Sequence, residues 1–93
     1  MSQPSLLIVD DEAGVRESIR IIFNKDFRLL EAKSSAEAIQ GVREEEPDII
    51  LLDILMPGAN GLDTLKKIKS IHPAAQVIML TALNTARTAF TAK

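Results

Sequence analysis

The sequence predicts a single α/β domain over residues 1–93, built on a doubly wound parallel sheet. Short aliphatic runs alternate four times with segments of helical spacing. Three of the four runs are near-continuous rather than alternating, as strands covered on both faces must be. The connections are only a few residues long, so each strand returns through a helix in a right-handed crossover.

The first strand is SLLIV at 5–9, and Val15, Ile19, Ile22 and Phe23 then recur on one helical face while Arg16, Glu17 and Arg20 fall elsewhere. FRLLEA at 27–32 is more mixed, which marks an edge strand. Ser34 with Glu37 three residues on is a capping-box signature for a helix carrying Ala36, Ile39 and Val42 and ending before Pro47. DIILL at 48–52 is the third strand. Asn60 caps a helix with the stripe Leu62, Leu65 and Ile68, and Lys66, Lys67 and Lys69 near its end complement the helix dipole. AQVIML at 75–80 reads as an interior strand, and a weaker helical pattern runs from Asn84 through Ala86, Ala89 and Phe90.

Composition narrows the function classes. The chain is 46% hydrophobic and 26% charged, with three Phe as its only aromatic residues, so its core must be aliphatic. Eleven basic against thirteen acidic residues give a net charge of -2, without the excess that draws a chain to nucleic acid or an anionic membrane. With no Cys there is neither a disulfide framework nor a thiolate metal site, which agrees with a reducing compartment. MSQPSLLIVDDE has no basic leader and too short an apolar run for a signal peptide, so a cytoplasmic location is expected.

The chemistry gathers at one edge. Asp10 and Asp11 follow the first strand and Asp53 follows the third, and ligands of such sheets bind at the carboxyl ends of the strands. An Asp in such a place ordinarily caps a helix or solubilises a turn. Three of them, converging if the first and third strands are neighbours, repel one another and ask for a cation. Oxygen donors without Cys or paired His suit a hard ion, Mg²⁺ before a caged Ca²⁺. A carboxylate beside Mg²⁺ is also a candidate nucleophile toward a phosphoryl donor. Thr81, in LTA at 80–82, ends the fourth strand at the same edge and offers a hydroxyl.

LIVDDE, PDIILLDILMPGANGLDTL and VIMLTA together resemble the receiver domain of two-component response regulators, in order and spacing, along essentially the whole chain. The resemblance implies a flavodoxin-like sheet of order 2-1-3-4-5. It implies that Asp53 is the phosphoacceptor, Asp11 a direct Mg²⁺ ligand, Asp10 a ligand partly acting through water, and the Leu55 carbonyl a further contact. Thr81 would contact the phosphoryl group, with the small Ala82 leaving access to it. Met56, Pro57, Gly58 and Gly61 match the family's loop. The phosphoryl donor would be a sensor histidine kinase or a phosphotransfer protein, and the receiver would control an output domain or effector, transcriptional in many relatives. Such a domain is a switch rather than an enzyme.

The family pattern continues to a fifth strand and helix, with a lysine and an aromatic residue, where this chain ends at TARTAFTAK; Lys93 lies in the fourth helical pattern and does not match that lysine. A longer protein is therefore expected, and alone the fourth-strand edge would recruit a second copy, swap elements or aggregate. Two other classes compete. A metal-dependent phosphohydrolase would turn over a phosphate ester, though Asp10 lacks an Asp two residues on. An interaction or dimerisation module without phosphorylation would be indifferent to Mg²⁺. His72, before Pro73 in a loop, is expected to face solvent. The KKIK cluster and REEEP at 43–47 read as solvated helix surfaces, and Met56 and Met79 as packing residues.

Overall fold

The computed structural model describes residues 3–56, 58 and 60–80. In chain order these form β1 (Ser5–Val9), α1 (Ala13–Phe23), β2 (Arg28–Ala32), α2 (Ser35–Glu45), β3 (Ile49–Leu52), α3 (Gly61–Ile71) and β4 (Gln76–Met79). All pairings are parallel, in the order β2-β1-β3-β4, as expected. The pattern from Asn84 onward lies outside the described residues.

Side chains of a strand alternate between faces, and this sheet buries both. Leu7, Val9, Ile50 and Leu52 meet Ala38, Val42 and Ile68 beneath α2 and α3. Leu6, Ile8 and Leu51 meet Ile19 beneath α1 on the other side. With a partner on each side, β1 is buried along its whole length, whereas β2 at the edge is exposed at Arg28 and Glu31 and buried only at Ala32, as its mixed sequence predicts. The aliphatic run of β4 reads as interior, yet among the described residues β4 pairs with β3 alone, and Ile78 and Met79 are 50% and 44% exposed. Met79 is thus not a core residue.

Two predicted helix faces shift. In α1 the line Val15–Ile19–Phe23 packs inward, while Ile22, on the flank of that line, stays 65% exposed. In α3 the buried line is Gly61, Thr64 and Ile68 with Leu65 and Ile71 beside it; Leu62 lies off this series and is 55% exposed.

The caps stand as the sequence places them. Ser34 Oγ accepts from the Glu37 amide at 3.1 Å, and the Glu37 carboxylate accepts from the Lys33 amide rather than from Ser34. Asn60 Oδ1 accepts from the amides of Leu62 and Asp63. Lys69 Nζ donates to the carbonyls of Pro73 and Ala75 beyond the end of α3. At the amino edge of the sheet Asp48 accepts from the Ser5 amide at 2.8 Å and donates its own amide to Ser5 Oγ, stapling β3 to β1. The Ser5 amide, then its hydroxyl, holds the Asp48 carboxyl below the usual carboxylate range. His72 is half-buried, and its Nε2 donates to the Pro47 carbonyl, so it is part of this edge rather than free in solvent.

Helix α2 stops at Glu46, whose φ of 47° is left-handed and whose amide reaches the Val42 carbonyl. An L-residue there is strained by roughly 1–2 kcal/mol, while glycine costs about 0.5–1 kcal/mol of extra chain entropy. The strain outweighs the entropy. Glu46→Gly should therefore stabilise the domain by about 0.5–1 kcal/mol, read as a higher urea midpoint at unchanged m-value.

Candidate functional site

The β1–β3 register builds the site. Val9 pairs with Leu52, so Asp10 and Asp53 are the next residues of adjacent parallel strands, and the Asp53 amide still donates to the Val9 carbonyl at 3.0 Å. Asp11 continues from Asp10 into the turn before α1. One carboxylate oxygen from each of Asp10, Asp11 and Asp53 lies within 4.8 Å of the others. Asp10 and Asp53 are buried, while Asp11 is exposed and opens the cluster to solvent.

Each buried carboxylate is oriented by the turn that follows it. Asp10 Oδ1 accepts from the Glu12 amide and Asp53 Oδ1 from the Leu55 amide, both at 2.9 Å and both two residues on. Such Asx turns let a strand end and aim its carboxylate at once. Burial pushes the Asp10 carboxyl above its usual range, and the negative charges of Asp53, Asp11 and Glu12 push the same way against the Glu12 amide. The site is electrostatically short of a cation.

The donor set fits Mg²⁺. Octahedral bonds of about 2.1 Å put neighbouring ligands roughly 3 Å apart and opposite ones about 4.2 Å apart, a spacing that oxygens already within 4.8 Å of one another reach by small side-chain rotations. Neither a sulfur nor an imidazole belongs to the cluster, as a hard ion prefers.

The Asp53 loop is held by packing. Met56 is buried in the core beneath α2 and α3, bearing out its packing role. Gly58 has a φ of 74°, the left-handed backbone that the family's loop glycine allows. Gly61 serves a different purpose, close approach: a Cβ there would lie 2.3 Å from Ile54 Cβ and 2.4 Å from its Cα. Leu55 is tied to Asp53 through its amide. Pro57, Thr81 and Ala82 lie outside the described residues.

Sequence reading passed over Arg16 as one of the polar residues off the buried face of α1. Its guanidinium donates to the Asp10 carbonyl at 2.6 Å and to Glu31 on β2 at 3.0 Å, and Arg20 donates to the same carboxylate. Arg20, then Arg16, holds the Glu31 carboxyl below its usual range.

A parallel α/β domain with an acidic pocket at the carboxyl ends of β1 and β3 has the architecture of a signalling receiver. The chain belongs to the response regulator receiver domain family, which matches residues 6–93. It is 37% identical over 83 residues to sporulation initiation phosphotransferase F of Bacillus subtilis, covering 88% of this chain and 67% of that protein. It is 38% identical over 84 residues to a putative transcriptional regulator of Pseudomonas aeruginosa, covering 88% of this chain and 41% of that protein. The receiver domain protein of Methanospirillum hungatei, CheY-like, superposes with a TM-score of 0.80 at 26% identity, covering 84% of this chain and 63% of that one. The chain therefore spans from about two-fifths to two-thirds of these relatives. Membership places it in two-component phosphorelay signalling, as a phosphoacceptor switch with an acidic pocket.

Two outcomes follow from the geometry. Gly61→Ala must displace the Ile54 peptide next to Asp53, and overpacking of this kind costs about 1–3 kcal/mol; a lower melting temperature measures it. Because the Asp10 carboxyl is raised in the folded chain, its ionised form favours unfolding: the stability its protonation confers is present at low pH and lost as pH rises through the raised value. Asp10→Asn, which keeps the acceptor for Glu12, should melt above the wild type in chelator at neutral pH. That gap should shrink toward pH 4.

Proposed function

We propose that Asp53 is the phosphoacceptor of this receiver and that Asp10, Asp11, Asp53 and the Leu55 carbonyl hold Mg²⁺. The observation that carries the reading is the convergence of the three carboxylates at the carboxyl ends of the adjacent interior strands β1 and β3. A sensor histidine kinase or a phosphotransfer protein is the proposed donor. One Asp53 oxygen attacks phosphorus, the bond from phosphorus to the donor imidazole nitrogen breaks, and that nitrogen keeps the electron pair. Bound Mg²⁺ supplies charge neutralisation for the phosphoryl oxygens. The protein's own work is to hold Asp53 by its turn to Leu55, keep Asp10 and Asp11 opposite it, and narrow the access of water. Thr81 would contact the phosphoryl group and Ala82 would leave it room. Water attack on the acyl phosphate resets the switch, so turnover is limited to transfer and self-dephosphorylation.

The proposed setting is cytoplasmic, with residues 1–93 as one receiver unit governing an output domain or effector. No helix among the described residues is long and apolar enough to cross a membrane, and a net charge of -2 supports a domain that does not itself bind nucleic acid. The exposed Ile78 and Met79 on β4 favour a second, subordinate reading, in which two copies associate through that strand. A single monomeric mass by light scattering at all concentrations would remove it.

The test of the main reading is the intact mass after incubation with acetyl phosphate. One phosphoryl group should be gained with Mg²⁺, none with chelator, and almost none in Asp53→Asn, which should remain folded. Mg²⁺ at one hundred times its Kd should stabilise the wild type by about 2.7 kcal/mol. Undiminished labelling of Asp53→Asn would reject Asp53 as the acceptor, and a melting curve indifferent to Mg²⁺ would favour an interaction module.

A further inference from the structure

Arg16 combines two facts that do not ordinarily go together: it is a cation placed beside a cation site, and it touches that site through a neutral atom. Its guanidinium reaches the backbone carbonyl of Asp10, one peptide away from Asp11. Its other partner is Glu31, which Arg20 also grips at about 2.6 Å. The Arg16 side chain is only 16% exposed, against 50% for Arg20, so the inner pair is the better sheltered from salt.

The carbonyl of Asp10 belongs to the peptide that joins the two acidic residues. Main-chain groups on either side of it are pinned: the Asp10 amide donates to the Ala32 carbonyl, the Glu12 amide donates to Asp10 Oδ1, and the Glu12 carbonyl accepts from the Arg16 amide. Rotation about the Cα–C bond of Asp10 turns this carbonyl and moves Asp11 relative to Asp10. Arg16 closes that freedom, and its planar fork spans the carbonyl and Glu31 at once, which a lysine ammonium does poorly.

We propose that Arg16 is a positioning residue of the metal site, fixing the Asp10–Asp11 peptide through the Asp10 carbonyl so that divalent-cation affinity depends on a residue of the cation's own charge. The inference rests on the receiver reading above. It makes a prediction opposite in sign to simple electrostatics. Removing a positive charge near a cation site should tighten binding by Coulomb's law; removing the brace should weaken it.

The experiment uses the full chain and Mn²⁺, an octahedral oxygen-seeking ion whose free form is counted by its electron paramagnetic resonance signal. Arg16→Ala should raise the Mn²⁺ Kd about 10-fold, the lower end of the range expected of an outer partner of a metal ligand. Arg16→Lys should recover part of that loss. Glu31→Gln separates bracing from general stability, because it removes the ion pair but leaves the Arg16 bond to Asp10. It should lower the urea midpoint while keeping Mn²⁺ affinity within about twofold of the wild type. Unchanged or tighter binding by Arg16→Ala, or an equal loss in Glu31→Gln, would overturn the inference. If the wild type itself bound no Mn²⁺ and gained no phosphoryl group, the receiver reading would fall and this inference with it. Wild-type binding with an indifferent Arg16→Ala would overturn this inference alone.

Discussion

Everything at the site depends on one constraint, the parallel register of β1 against β3. Val9 sits opposite Leu52, so two strands that are far apart in sequence end on adjacent carboxylates. A slip of one residue would move Asp53 about 3.3 Å along the strand and turn its side chain to the opposite face. The register is held by the core and not by the site. Leu6, Ile8 and Leu51 must face α1 while Leu7, Val9, Ile50 and Leu52 must face α2 and α3, and any slip reverses both sets together. The staple between Ser5 and Asp48 fixes the same register from the other end. Apolar burial thus supplies the free energy that holds three like charges together.

Those charges act on one another across the pocket. For Asp10 burial is the dominant disturbance, ahead of the repulsion from Asp53 and Asp11. Withdrawal from water therefore matters more than the neighbours do, and a ligand that supplies charge and oxygen coordination relieves both. The exposed Asp11 provides the entry. An acidic pocket in which burial opposes ionisation suits a switch, because a cation bound there would act on a structure already biased toward it.

The sequence made the sheet legible because its signals were strong and redundant: four aliphatic runs, a capping Ser34, a capping Asn60 and a Pro47 that ends a helix. The acidic residues were legible for a simpler reason, since a strand's last residue also marks the sheet edge. What was hidden depended on distance in space. Leu62 and Ile22 have the right residue type but the wrong angle around their helices, and periodicity blurs a shift of one position. Gly61 matches the loop pattern, yet its need is close approach, since a Cβ there would lie 2.4 Å from the Ile54 backbone, which dihedral reasoning does not foresee. Arg16 was least legible of all. On a helix it reads as a solvated charge, and only the fold brings β2's Glu31 beneath it.

The buried and exposed parts of the site are supported by different physics. Asp10 and Asp53 follow interior strands whose last residues, Val9 and Leu52, are fully buried, so their positions are set by close-packed apolar contacts that resist small displacement. Asp11 stands exposed in the turn from Asp10 into α1, which is held by hydrogen bonds, one of which runs through Arg16 to Glu31 on the edge strand β2. Polar contacts near the surface can be exchanged for water or for a partner's groups at small cost, whereas core contacts cannot. A protein bound across α1 and β2 would therefore bear on Asp11 more than on Asp53. In that division the two buried carboxylates are the fixed points, and the exposed Asp11 is the adjustable one.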